Sequence, residues 1–241
     1  MERERFLDNI AARLGRARLT SAPPRSVEGP PAEYCKNPLG TSAGAVDRAA
    51  RFKQELEAVG GKVQMASSLT EVHAALRAEL AFWKATRLVS WAASEFSGFA
   101  IEGFLRESRC VCWRPSADVD EQEHFRQVAL SAELGITAVD FAIANTGTLA
   151  VSAGPGRPRS VSLLPAVHLA LVRESQLVDR LGLAFQGLRR SGAALASGLH
   201  FITGPSRTSD IENDLSIGVH GPAAVSVLLW RDARSPGKGV A

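Results

Sequence analysis

The apolar positions along this chain alternate between two periods, and the changes of period mark its elements. Phe6, Ile10 and Leu14 recur every four residues, which predicts an amphipathic helix over residues 3–14, stopped at Gly15. Residues 20–44 hold Pro23, Pro24, Pro30, Pro31 and Pro38 and read as an extended connection without regular structure. From Ala45 the pattern tightens. Ala49, Phe52, Leu56 and Val59 form one helical face, closed by Gly60-Gly61, and Lys62–Ala66 reads as a short strand. Ser68 and Glu71 have capping-box spacing ahead of a helical stripe of Val72, Leu76, Leu80 and Trp83. Arg87–Trp91 and Cys110–Trp113 read as buried strands, and Phe125, Val128 and Ala132 as a helix ending at Gly135.

Further along, Ile136–Ala144 and Thr148–Val151 flank Asn145-Thr146-Gly147, a spacing that suits a tight strand–turn–strand. His168–Val172 reads as a strand, Val178, Leu181, Phe185 and Leu188 as a helix, and Leu199–Thr203 and Ala224–Trp230 as the closing strands. Strands alternating with helices predict an α/β domain whose mainly parallel sheet is flanked by helices. The organisation expected is a helix and extended arm over residues 1–44, the α/β domain over 45–233 and a tail over 234–241.

Composition narrows the class. Hydrophobic residues make up 45% and charged residues 22%, enough to bury a full core. The excess of 28 basic over 25 acidic residues is small, and the arginines near the start are offset by Glu2, Glu4 and Asp8, so a nucleic-acid surface is not expected. Three cysteines, Cys35, Cys110 and Cys112, are too few for a disulfide framework or for a metal or cluster site built by this chain alone. The first 20 residues lack an apolar signal region, and no apolar run reaches the roughly 18 residues a membrane span needs. A cytoplasmic location is expected, with self-association left open.

Candidate chemistry lies where Gly, Ser and Thr adjoin apolar strands. Asn145-Thr146-Gly147-Thr148 offers backbone N–H groups and two hydroxyls that suit an anion, or simply a hairpin turn. Gly154-Pro155-Gly156-Arg157-Pro158-Arg159-Ser160 places guanidinium groups for a carboxylate or phosphate, or is a solvated surface loop. Thr203–Glu212 follows a strand and reads as opening a helix or helical turn, with Ser209 and Glu212 at capping-box spacing; Gly204, Ser206, Arg207 and Asp210 are its candidate ligand groups. His220, between Val219 and Gly221, is a candidate proton carrier or a hydrogen-bonded structural histidine. His168, on an apolar strand, reads as core. The expectation is that an anion sits between the 146–148 turn and the 204–210 loop, with Arg159, Arg207 and His220 assisting.

Two of these stretches carry a resemblance. Thr203-Gly-Pro-Ser-Arg-Thr-Ser-Asp-Ile-Glu212 followed by Gly218-Val-His-Gly-Pro222 resembles the signature of the lactate utilization protein C family, whose members consist of a LUD domain. Gly135–Thr148 is similar to its other motif, and Phe6–Arg16 to its N-terminal helix. The resemblance implies the fold of ribose-phosphate isomerases, glucosamine-phosphate deaminases and CoA transferases. It also implies a non-redox subunit that supports oxidation of L-lactate to pyruvate beside iron–sulfur partner proteins, with the clusters on the partner. The family often has Glu immediately before the Ser/Thr-Gly-Thr turn. Here Asn145 stands there, and an amide cannot ionise to serve as nucleophile or base. Two other readings stay open: a stand-alone isomerase- or transferase-like enzyme on a phosphorylated or CoA-linked metabolite, and a non-catalytic assembly scaffold.

Overall fold

A computed structural model of the chain describes residues 2–13, 15, 47–190, 196–209, 215–218 and 220–231. The chain divides into two units, residues 1–44 and 45–241. In the first, helix α1 spans Glu2–Arg13 and Gly15 follows in the left-handed region at φ +62°, as the four-residue stripe and the glycine anticipate. The 20–44 arm, the 234–241 tail and Cys35 lie outside the described residues.

The second unit begins with α2 (Arg48–Ala58), capped by the Asp47 carboxylate, which accepts the Ala49 and Ala50 N–H groups. Its face of Ala49, Phe52 and Leu56 is fully buried. Strand β1 (Lys62–Ala66) leads into α3 (Leu69–Trp83), where the Ser68 hydroxyl accepts the Glu71 N–H and the Glu71 carboxylate accepts the N–H of Ser67. Then follow β2 (Leu88–Ser90), a short 3-10 turn (Ala93–Phe96), α4 (Glu102–Glu107), β3 (Val111–Cys112) and α5 (Val119–Ser131). Next come β4 (Leu134–Ala138), β5 (Phe141–Ile143), β6 (Thr148–Ala153), α6 (Ser160–Leu163) and β7 (Val167–Arg173). The chain closes with β8 (Leu177–Val178), α7 (Leu181–Arg190), β9 (Gly198–Ile202), β10 (Arg207–Ser209), β11 (Leu215–Ile217) and β12 (Ala224–Trp230).

The main sheet has six strands in the order β1-β12-β7-β4-β2-β3, every pairing parallel. All five residues of β4 are buried, as are Val225–Leu229 and Val167–Val172, because helices cover both faces of such a sheet. Successive strand residues point to opposite faces. Ser226 reaches Glu79 of α3 on one face. One residue earlier, the register row of Val225, His168 and Gly135 turns to the other face, towards α6. A second sheet, in the order β8-β5-β6-β9, is mixed, and β10 and β11 form a two-stranded antiparallel ribbon.

Three boundary readings are corrected. The helix before β4 stops at Ser131, and Gly135 lies inside β4, where a Cβ would sit 2.0 Å from the Val161 carbonyl oxygen. The apolar run Ile136–Ala144 is two strands of different sheets, parted at Val139-Asp140. Val178 belongs to β8 rather than to the following helix. Arg207–Ser209 is extended and pairs with Leu215–Ile217, and the helix or helical turn that the Ser209–Glu212 spacing suggests falls on residues 210–214, outside the described residues.

Candidate functional site

The sequence candidates gather mostly at one place, the last turn of α2. Thr146 Oγ1 lies 2.7 Å from Thr148 Oγ1, which lies 2.8 Å from Thr203 Oγ1, so a ladder of hydroxyls ties the β5–β6 turn to the end of β9. The turn is pressed onto α2: Gly147 has φ +59°, and a Cβ there would stand 2.3 Å from the Leu56 nitrogen. Gly204 has φ +81°, and its Cβ would meet Val59 at 2.9 Å. The Arg207 guanidinium donates to the Val59 carbonyl, one of the carbonyls a helix end leaves without an internal partner. Asn145 donates its backbone N–H to the Asp179 carbonyl at 3.2 Å. Ser206 joins the next loop, its N–H bonded to Pro222 and its carbonyl accepting the Gly218 N–H. His220 is exposed on that loop. Gly218 and Gly221 line a shallow cleft of about 500 Å³ at the amino ends of β4, β7 and β12, with Arg87 and Glu133 opposite. Asp210 lies outside the described residues.

Arg159 is not part of this cluster. Strand β6 pairs Leu149 with Ile202 at one end and Ala153 with Gly198 at the other, and Arg159 stands near Gly198. That end adjoins the carboxyl ends of the main-sheet strands, the side on which open α/β sheets hold ligands. Here the charged and aromatic groups collect. Arg157 donates through Nε to Glu95 at 2.6 Å and through Nη1 to Asp140 at 2.7 Å, and Asp140 also accepts the Ser152 N–H. Burial alone would weaken the proton affinity of Arg157, but hydrogen bonding to Glu95 and the charge of Asp140 raise it. The indole N–H groups of Trp91 and Trp113 donate to the Pro158 and Pro155 carbonyls, fixing the 154–159 loop over the strand ends.

Between that loop and the first turns of α5 opens a cleft of about 690 Å³, within the size range of small-molecule sites. Trp113, Phe125 and Leu163 give it an apolar lining, and Arg159 stands at its rim. His200, whose Nε2 is buried without a partner, has its proton affinity lowered by burial and by the Arg159 charge. Cys112 lies on β3 and Cys110 just before it, both near Ser90. A hydrogen bond from Cys110 brings the Cys112 thiol down to about 6, while the same bond pushes Cys110 up. No group of three potential metal ligands occurs among the described residues.

Glu95, Asp140, Arg173 and the tryptophans at the strand ends were not singled out by sequence reasoning. The signal was there in part. Arg173 closes an apolar run and Asp140 interrupts one, positions where a buried strand delivers a polar side chain to the sheet edge.

With the geometry in view, comparison with known proteins is direct. Residues 49–230 match the family model described as the LUD domain. The chain belongs to the LUD-domain family. This LUD protein is 32% identical over 236 residues to lactate utilization protein C of Halalkalibacterium halodurans, covering 95% of this chain and 98% of that one. It is 30% identical to the same-named protein of Shouchella clausii, over 95% and 98% of the two chains. The match to that of Bacillus subtilis is 37% over about half of each chain, 48% and 49%. Among solved structures, a DUF162 family protein from Deinococcus radiodurans shares the fold at a TM-score of 0.54 and 19% identity, covering 76% of this LUD protein and 96% of that chain. No helix among the described residues is long and apolar enough to cross a membrane.

Proposed function

We propose that this protein is a lactate utilization component that supports oxidation of L-lactate to pyruvate as a non-redox subunit, beside partner proteins that carry iron–sulfur clusters. The observation that carries this reading is end-to-end likeness to proteins named lactate utilization protein C, spanning 95% of this chain. The carboxyl edge supports it, since guanidinium groups and a cleft of about 690 Å³ stand where an α/β sheet receives small anions. On this reading the electrons pass through the partner, and this chain supplies binding and orientation.

The test is reconstitution. The chain and the products of its neighbouring genes are purified, and L-lactate-dependent reduction of an acceptor dye is followed with each component omitted in turn. Expected is oxidation that requires this chain together with the iron–sulfur proteins, and no turnover by this chain alone. If the partners oxidise L-lactate equally fast without it, the reading is wrong.

A further inference from the structure

The ends of the two central strands leave two donors without acceptors. Arg173 closes β7 and Trp230 closes β12, and the two are register partners, so their side chains leave the sheet on the same face. Arg173 Nε and Trp230 Nε1 are both buried and both lack a hydrogen-bond partner. Buried donors are almost always satisfied, so two orphans on neighbouring strands mark a place built for an acceptor. Arg173 also makes no ion pair among the described residues. The nearby Glu174 and Asp47 carboxylates are both engaged by Arg231.

What covers these donors is the segment Ser97–Ala100. The Phe99 ring lies 5.4 Å from the Arg173 guanidinium carbon and 5.9 Å from the Trp230 ring. The Ser97 carbonyl accepts a hydrogen bond from Arg173 Nη2 at 2.8 Å. Gly98 has φ +92° and Ala100 has φ +51°. A non-glycine residue in the left-handed region is strained, and here the surroundings hold it: Phe99 is buried and its carbonyl lies 3.2 Å from His73 Nε2.

We propose that Arg173 and Trp230 form a seat for the carboxylate of a 2-hydroxy or 2-oxo acid of lactate size, and that Ser97–Ala100 is the cover that closes it. One carboxylate oxygen takes Arg173 Nε–H and the indole N–H, and the other replaces the Ser97 carbonyl on Nη2. This seat rests on the lactate reading for its substrate class, and on geometry for its place.

The test uses the full chain alone. The indole N–H resonance of Trp230, assigned from W230F, is followed by NMR as pyruvate, L-lactate or the uncharged lactamide is added. Expected is a saturable shift with pyruvate or L-lactate and none with lactamide. W230F, which keeps an aromatic ring and loses the indole N–H, should bind about ten-fold more weakly. R173Q should abolish binding, and R173K should restore part of it, with thermal midpoints confirming that each variant is folded. An unmoved Trp230 resonance, or unchanged affinity in R173Q, overturns the seat. The two proposals fail separately. A saturable shift in a chain dispensable for lactate oxidation leaves the seat standing and refutes the functional reading. No shift in an indispensable chain refutes the seat alone.

Discussion

At the scale of single residues, His168 shows how a polar group tolerates the sheet interior. It is fully buried on β7, with Nε2 2.8 Å from Thr137 Oγ1 and Nδ1 without a partner. Burial depresses it to about 4, so it stays neutral in the folded protein while an unfolded chain would take up a proton near pH 6.5. Because the folded value is the lower, the unfolded state binds more protons between these limits. The stabilising contribution is therefore whole above pH 6.5 and is lost as pH falls towards 4. Expected is a fall in the urea midpoint between pH 7 and pH 4.5 that is smaller in H168Q; equal pH dependence in both proteins would count against the assignment. Gly135 stands in the same row, beside His168. Any side chain there would displace the Val161 carbonyl of α6, so G135A should cost about 3 kcal/mol, measured by urea unfolding.

At the scale of elements, the β5–β6 turn is shaped by what it packs against. Gly147 serves both the left-handed backbone and the contact with Leu56. Replacing it with Ala adds the left-handed penalty of roughly 1 kcal/mol to a steric clash with the α2 backbone. G147A should lower the thermal midpoint by several degrees, and an unchanged midpoint would mean that α2 and the turn are less tightly joined. The hydroxyl ladder of Thr146, Thr148 and Thr203 belongs to the same joint. These threonines were readable as a cluster because Gly and Thr adjoin apolar strands. That the turn seats against a helix end was not readable, because the helix is about 90 residues away in sequence and local spacing carries no information on it.

At the scale of the whole domain, Arg157 is the tie between the two sheets. Glu95 follows β2 of the parallel sheet, Asp140 joins β4 to β5, and Arg157 follows β6 of the mixed sheet. All three are partly shielded, so removing the guanidinium leaves two carboxylates facing each other with poor hydration. R157A should destabilise the domain by about 2 kcal/mol and should speed amide exchange in β5 and β6 more than in β7 and β12. Uniform acceleration across both sheets would show that the clamp adds stability without coupling them.

Taken alone, the order of apolar and polar positions determined that this is an α/β domain with buried parallel strands, that Ser68 sits where a helix begins, and that His168 belongs inside. Those features follow from periodicity and from local hydrogen-bonding chemistry, which neighbouring residues carry in full. Only the tertiary structure decided that Ile136–Ala144 splits between two sheets, that Arg207–Ser209 pairs with Leu215–Ile217, and that Arg157 meets Glu95 and Asp140. Strand partners and the crossing of sheets are set by contacts between segments far apart in the chain. A pattern with a period of a few residues cannot specify which distant segment will complete it.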